Sequence, residues 1–283
     1  MISTVLPRRH RDHGVSRRFF PKETLISLFL CGAIFSILNS FTTRKPKKFI
    51  PPGTVQITET FFADEAEISN FAWQEYEKWT AIKFGKLSTE HISTLPDTTV
   101  WRQKNSYNVP YVEYYYRHPA YRDYPVVGIS YEQAIAFCKW RTERVKEFYM
   151  IGFKKTLNVE YRLPTKEEWE LLCCSYPIYM NNGGRNEKGF HTFNFSDPDY
   201  SWGKNGTIPK EYPDVTAPVY SYVKNSFGVY NTYGNVAEMI NEKGICKGGS
   251  WRHNFEECRA GKDIPYEKPN AWLGFRCVCV KGS

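Results

Sequence analysis

The chain has 283 residues and an apolar content of 41%, values typical of a folded protein and not of a disordered one. Its net charge of +8 is carried by residues 1–48, where ten basic side chains accompany only two acidic ones, so residues 49–283 sum to zero. A duplex-binding domain needs its excess of Lys and Arg on the folded part, and we therefore exclude nucleic acid as a partner. Aromatic residues make up 17% of the chain, which favours a loop-rich core of large rings.

The first 48 residues have the pattern of a membrane-targeting segment. Residues 1–23 form a basic leader, residues 24–41 an apolar stretch long enough for a short, tilted span, and residues 42–48 a basic linker. Six basic residues precede the stretch and four follow it, which predicts a cytoplasmic leader and an exported carboxyl-terminal part. We interpret residues 24–41 as an uncleaved signal anchor, with a signal peptide as the alternative. The exported part is then expected in the periplasm or on the cell surface.

Two features of this region leave other export routes open. Arg17 and Arg18 resemble part of a twin-arginine signal, although Pro21 stands where leucine is usual. Cys31 is a candidate lipidation site. Because Leu30 precedes it and apolar residues follow, the favoured interpretation of Cys31 is a small apolar residue within the span.

Residues 49–283 contain no internal repeat and no long linker, so we predict one domain. A Pro-Pro-Gly turn at 51–53 leads into a short strand that ends at Ile57. The Tyr-rich residues 85–125 are predicted to be irregular. Beyond Ser175 the chain is turn-rich, with strands predicted at 245–251 and 274–280.

Three helices are predicted, each from a capping residue followed by apolar residues at helical spacing. The capping residues are Ser69, Ser130 and Thr165. The first helix is expected to run to about Phe84, and Gln133 and Glu168 complete capping boxes at the other two. The apolar faces are expected to carry Ala72, Tyr76 and Trp79 in the first helix, Ile135, Cys138 and Val145 in the second, and Trp169, Leu172 and Cys173 in the third.

Five short segments, taken together in order, resemble one protein family. They are PVVGIS at 125–130, YRLPT at 161–165, GNVAE at 234–238, KGGSW at 247–251 and GFR at 274–276. Their order and spacing are similar to those of the formylglycine-generating-enzyme, or sulfatase-modifying-factor, family from about residue 49 to residue 280. The resemblance implies an α+β fold with a C-type-lectin-like core, rich in loops, with few helices and short antiparallel strands.

Within that family the chain most resembles the gliding-motility and type IX secretion lipoproteins. The segments that carry this likeness are 95–102, 114–121 and 138–145. The resemblance implies a structural component of the cell envelope with envelope or secretion-machinery proteins as partners.

The enzymes of the family oxidise a substrate cysteine to formylglycine at a copper ion held by two cysteines just beyond the Gly-Gly-Ser motif. Soft thiolates suit Cu(I), so these ligands are not easily replaced. If Ser250 matches the family's serine, His253 stands where the first thiolate should be, and Cys258 resembles a structural cysteine instead. The resemblance therefore implies a degenerate site around Ser250 and His253 without copper. His253 as a ligand of another metal is the alternative, although most loop histidines bind none.

The resemblance also implies disulfides and a calcium loop. The disulfides would join Cys138 to Cys277 and Cys173 to Cys258, with a third bridge between Cys246 and Cys279 left open and Cys174 unassigned. The calcium ligands would be Asn231, Gly234, Val236 and Glu238, and the alternative for this segment is a plain turn. Disulfides agree with an oxidising compartment.

Three functions follow as hypotheses. The leading one is an exported, membrane-tethered and catalytically degenerate protein that acts as a structural or interaction component of the envelope, in secretion or gliding machinery. The second is a metal-dependent oxidoreductase of the same family that acts on cysteine or sulfur substrates. The third is a calcium-dependent ligand-binding module that uses the Tyr-rich residues 107–124 as a platform.

Overall fold

The computed structural model describes residues 49–102, 108–173, 183–197 and 215–282. The predicted leader, the anchor segment with Cys31, the basic linker and Cys174 lie outside these residues. Within the described ranges, no helix is both long enough and apolar enough to cross a membrane.

Short strands and helices alternate along the described chain, separated by long loops. The strands are β1 (Thr54–Gln56), β2 (Phe61–Asp64), β3 (Val159–Arg162), β4 (Ala237–Met239), β5 (Ile245–Lys247), β6 (Ile264–Pro265), β7 (Leu273–Gly274) and β8 (Val278–Lys281). The helices are α1 (Asn70–Phe84), α2 (Thr89–Ile92), α3 (Tyr111–Tyr114), α4 (Tyr131–Phe153) and α5 (Lys166–Cys173), with two short 3-10 turns at Thr98–Trp101 and Pro119–Tyr121. This composition confirms the predicted α+β class.

The strands form two four-stranded sheets. The first has the order β1-β2-β8-β3 and is antiparallel throughout, with Phe62 opposite Cys279 and Tyr161 opposite the same cysteine on its other side. The second has the order β6-β5-β4-β7, and β4 and β7 are parallel, which the prediction of antiparallel strands did not include. Cys246 on β5 and Cys279 on β8 belong to different sheets, so the expectation that their strands are neighbours is wrong.

The segment predicted as one strand at 274–280 instead passes from one sheet to the other. Its first residue, Gly274, ends β7 in the second sheet, and Val278 begins β8 in the first sheet. Arg276 lies between them and is completely buried. A single strand is therefore the wrong interpretation, because the chain changes sheet around this arginine.

Helix α1 begins and ends where the sequence predicts. The Ser69 hydroxyl accepts a hydrogen bond from the Ala72 N–H at 3.2 Å, and the helix stops before Gly85, whose φ is 100°. The predicted residues Ala72, Tyr76 and Trp79 all pack on the core, and Trp73, which the prediction did not include, is fully buried among them.

Helix α4 has the predicted capping box, with Ser130 and Gln133 bonding to each other's backbone. It extends over 23 residues to Phe153. The face that packs on the core contains Phe137, Cys138 and Arg141, so Ile135 lies at its border and is 39% exposed, contrary to prediction.

Helix α5 confirms both its cap and its face. Glu168 accepts a hydrogen bond from the Thr165 N–H at 2.8 Å and forms a bidentate pair with Arg162, each N–O distance being 2.7 Å. Bidentate pairs of arginine and carboxylate both stabilise the fold and restrict the orientation of the two side chains. Its residues Trp169, Leu172 and Cys173 are fully buried.

Aromatic rings hold the centre of the molecule together. Trp73 of α1 stacks on Phe137 of α4 with ring centroids 5.4 Å apart, and Phe275 meets both rings edge-on. Burying a side chain of this size stabilises the fold by roughly 1.5–3 kcal/mol. Contacts among these rings therefore hold α1 and α4 against the chain between β7 and β8.

Candidate functional site

The Gly-Gly-Ser turn after β5 forms the centre of the candidate site. Gly248 and Gly249 have φ values of 86° and 68°, which end the strand predicted to reach residue 251. A Cβ on Gly249 would lie 2.3 Å from the Cys258 sulfur, so only glycine fits there. The turn carries Ser250 into the interior, where it is completely buried.

Ser250 and His253 are bonded to each other. The Ser250 Oγ lies 2.7 Å from His253 Nδ1 and also accepts a hydrogen bond from the Arg252 N–H at 3.2 Å. The tautomer of the imidazole decides which of these two atoms is the donor. The other side of the imidazole meets Trp272 edge-on at 4.9 Å, and burial lowers the pKa of His253. Burial therefore favours the neutral imidazole, and its Nδ1 is engaged with Ser250.

Cys258 is the first cysteine that follows this pair in the sequence. Its side chain is fully buried beside Gly249, within a cluster that includes Trp169 and Cys173. Burial raises the pKa of the Cys258 thiol above its ordinary value, which disfavours the thiolate that copper needs. Cu(I) in this family is held by two thiolate ligands. The groups present here are the Ser250 hydroxyl, the His253 imidazole and the Cys258 thiol, and they do not supply such a pair.

Glu238, a predicted calcium ligand, is instead the partner of Arg276. Its Oε2 accepts hydrogen bonds from Arg276 Nε at 2.6 Å and from Trp169 Nε1 at 2.9 Å. Its Oε1 accepts from Arg276 Nη2 at 2.5 Å. Both carboxylate oxygens are therefore committed to protein donors, one of them a cation.

Asn231, the second predicted side-chain ligand, points its amide nitrogen at a buried acid. Asn231 Nδ2 donates to Glu67 Oε2 at 3.0 Å, and Asn235 Nδ2 donates to Glu67 Oε1 at 2.8 Å. Calcium needs oxygen atoms converging on one point, whereas these two amides converge on Glu67 with nitrogen. Together with the engagement of Glu238, this arrangement does not fit a calcium ion held by the predicted set that also includes Gly234 and Val236.

Glu67 is the site residue that sequence reasoning missed. It is 3% exposed, and burial raises its pKa to about 8. The positive charge of the nearby Arg276 lowers the same pKa but does not cancel the effect of burial. In the sequence it is one more acidic residue ahead of a helix cap. Its partners lie more than 160 positions away along the chain, so no local pattern identifies it.

The cysteines of both predicted disulfides are close in space. The structure has Cys138 and Cys277 as buried thiols with their sulfurs 3.4 Å apart, and Cys173 and Cys258 share one apolar cluster. The two disulfides stay predictions, whereas a bridge between Cys246 and Cys279 lacks the neighbouring strands on which it was based. Within the described ranges, no group of three or more His, Cys, Asp or Glu residues is placed to hold a metal ion.

The Tyr-rich segment packs mainly on itself. Tyr115 is 1% exposed, stacks with Tyr121 at 5.5 Å, and contacts Trp101 at 4.6 Å. Its hydroxyl donates to the Pro125 carbonyl at 2.7 Å. In the described part of the segment the rings therefore serve a local aromatic core, although Tyr114 is 51% exposed.

Comparison with known proteins identifies the family. Residues 32–281 match the family model described as FGE-sulfatase, the sulfatase-modifying factor enzyme 1-like domain. The chain belongs to this family. The match covers both sheets and the Ser250 turn, and it confirms the predicted formylglycine-generating-enzyme fold. It begins inside the segment predicted as a membrane anchor, ahead of the predicted domain start at residue 49.

Several formylglycine-generating enzymes are similar to the chain. The mouse enzyme is 24% identical over 271 residues, covering 77% of this chain and 65% of that enzyme. The bovine enzyme is 25% identical over 185 residues, covering 55% of this chain and 44% of that enzyme. The Streptomyces coelicolor enzyme is 25% identical over 266 residues, covering 85% of this chain and 76% of that enzyme. The chain therefore spans less than two thirds of the length of the mouse and bovine enzymes.

Two solved structures are similar to the chain: CarF, and the Pseudomonas aeruginosa protein PvdO. CarF is 17% identical with a TM-score of 0.46, covering 79% of this chain and 87% of CarF. PvdO is 17% identical with a TM-score of 0.39, covering 57% of this chain and 63% of PvdO.

Proposed function

We propose that this member of the sulfatase-modifying-factor family is an exported, membrane-tethered protein that has lost copper oxidase chemistry and acts as a structural or interaction component of the cell envelope. The observation that carries the proposal is the hydrogen bond between Ser250 and His253. It lies where the resemblance puts the first copper ligand, and it engages the Ser250 hydroxyl and the Nδ1 atom of His253.

The surroundings of this pair support the loss of oxidase chemistry. Cys258 is buried, its thiol pKa is raised, and the only side chains between Ser250 and Cys258 that approach metal-ligand chemistry are His253 and two glutamates. Carboxylates are poor ligands for Cu(I) compared with thiolates. A metal-dependent oxidoreductase therefore has no supporting observation among the described residues.

The envelope location is supported by charge and hydropathy. The apolar residues 24–41 lie between two basic segments, whereas residues 49–283 have no net charge. This distribution is typical of an anchored protein with a cytoplasmic amino terminus. We extend the proposal to partners among secretion or gliding-machinery proteins of the envelope, on the basis of the segments 95–102, 114–121 and 138–145.

Two experiments separate this proposal from the enzyme hypothesis. The full-length protein, supplied with Cu(I) and oxygen, is incubated with a Cys-x-Pro-x-Arg peptide, with the Streptomyces coelicolor enzyme as the positive control. We expect no aldehyde in the peptide by mass spectrometry. Affinity purification from native membranes should in parallel return a reproducible set of envelope proteins. Aldehyde formation would overturn the loss of catalysis, and the absence of any stable partner would overturn the interaction role.

A further inference from the structure

The last turn of α4 is apolar on all sides. Residues 148–153 read Phe-Tyr-Met-Ile-Gly-Phe, and a helix end of this composition cannot bury every side chain against one core face. Met150, Ile151 and Phe153 are 46%, 63% and 55% exposed. Exposed apolar side chains that are grouped in this way mark interaction surfaces, whereas scattered ones do not.

The start of the described chain lies on the same surface. The Phe49 ring meets Tyr149 edge-on with centroids 5.2 Å apart, and Tyr149 contacts Phe153 at 5.2 Å. Ile50 is 49% exposed. We call Phe49, Ile50, Met150, Ile151 and Phe153 the α4-end patch.

The α4-end patch is held near the predicted anchor by the chain itself. Only residues 42–48 separate Phe49 from the apolar residues 24–41. Seven residues extend at most about 25 Å even when fully stretched. If residues 24–41 enter a bilayer, the patch must therefore lie within that distance of the bilayer surface.

Basic side chains surround the patch. Lys154 and Lys155 follow the helix end directly and are both exposed. The acidic residue of the last turns, Glu147, is paired with Arg144. An apolar surface with a basic rim is complementary to the headgroup region of an anionic bilayer.

We propose that the α4-end patch docks on the surface of an anionic lipid bilayer and fixes the orientation of the domain on the membrane. The proposal rests on the membrane tether of the proposed function. Docking would insert Met150, Ile151 and Phe153 among the headgroups and place Lys154 and Lys155 against lipid phosphates. The opposite side of the domain would then face the envelope partners.

The test uses the full-length protein reconstituted into vesicles. One set contains phosphatidylcholine alone, and the other contains phosphatidylcholine with phosphatidylglycerol. Flotation reports the tether, and acetylation by a membrane-impermeant reagent reports the exposure of individual lysines. We expect Lys154 and Lys155 to react several-fold more slowly on the anionic vesicles, while the exposed Lys262 stays unchanged in both.

Matched variants identify the side chains that are responsible. Met150→Ser/Ile151→Ser removes two exposed apolar groups of the patch and should restore the reactivity of both lysines. Leu87→Ser, at a residue 91% exposed outside the patch, should leave the protection intact.

The outcomes separate the two proposals. Flotation without lysine protection would overturn docking and leave the tether standing. Absence of flotation would overturn the tether and docking with it. Equal protection on both vesicle types would overturn the role of lipid charge.

Discussion

Arg276 donates hydrogen bonds to both carboxylate oxygens of Glu238, and neither side chain is more than 1% exposed. The pair links the chain that crosses between the sheets to β4, and Trp169 of α5 completes it. Removing one partner of such a pair leaves an uncompensated buried charge, which costs far more than the intact pair contributes.

We therefore predict that Glu238→Gln lowers the free energy of unfolding by about 3–5 kcal/mol. Denaturant titration of the purified protein measures this change. Glu132→Gln is the matched control, because Glu132 and its partner Lys243 are both more than 60% exposed and surface pairs contribute little. Equal small effects of the two substitutions would contradict the structural role of the Glu238 pair.

The engagement of Glu238 also makes a prediction about calcium. Because both of its oxygens accept from protein donors, we expect the thermal midpoint of unfolding to be the same in calcium and in EDTA. A rise of the midpoint with calcium that disappears in Glu238→Gln would show that the carboxylate is a ligand, and would restore the calcium loop implied by the family resemblance.

Glu67 makes stability depend on pH. Its pKa is raised from 4.5 to about 8 by burial, opposed by Arg276 and reinforced by Glu238, so the folded protein binds a proton that the unfolded chain has released. The stabilising contribution of the protonated acid is complete below pH 4.5 and is lost as pH rises through about 8. The free energy of unfolding should therefore fall across this interval.

Glu67→Gln should flatten that dependence, measured as denaturant midpoints at several pH values. The new amide keeps a neutral group in place of the protonated acid and does not titrate. An unchanged slope in the variant would show that another group is responsible.

The closeness of Cys138 and Cys277 leads to a prediction about the exported protein. Peptide mapping without reductant should recover these two cysteines linked, and reduction should lower stability by roughly 2–4 kcal/mol because the loop between them is long. Alkylation of both thiols in denaturant without reductant would contradict the disulfide. Cys246, whose strand is not adjacent to that of Cys279, should be alkylated under the same conditions.

The parts of the fold that sequence predicts well are local. The capping boxes at Ser130 and Thr165 are formed by residues three positions apart, and the structure contains both. The change of sheet at Arg276 depends on Glu238, 38 positions away, and a local strand pattern cannot report such a partner. Local spacing therefore predicts helix ends more reliably than sheet membership.

In the candidate site, too, local sequence features can be read directly, whereas contacts with distant residues cannot. The Gly-Gly-Ser motif is visible in the sequence, but the strand pattern predicts it inside a strand that reaches residue 251, whereas its two glycines have positive φ and form a turn. The family resemblance implies calcium ligands within one segment, whereas the partners of Glu238 and Asn231 come from distant parts of the chain. Buried charges select their partners in three dimensions, so their roles need the fold.

The most direct test of the central claim is the copper content of the full-length protein. The protein is loaded with Cu(I) under reducing conditions, freed of loosely bound metal by desalting, and analysed by plasma mass spectrometry beside the Streptomyces coelicolor enzyme. Because His253 Nδ1 is bonded to Ser250 and Cys258 is the one cysteine among residues 251–260, we predict far less than one copper ion per chain. One copper ion per chain, lost on Cys258→Ser, would contradict the account.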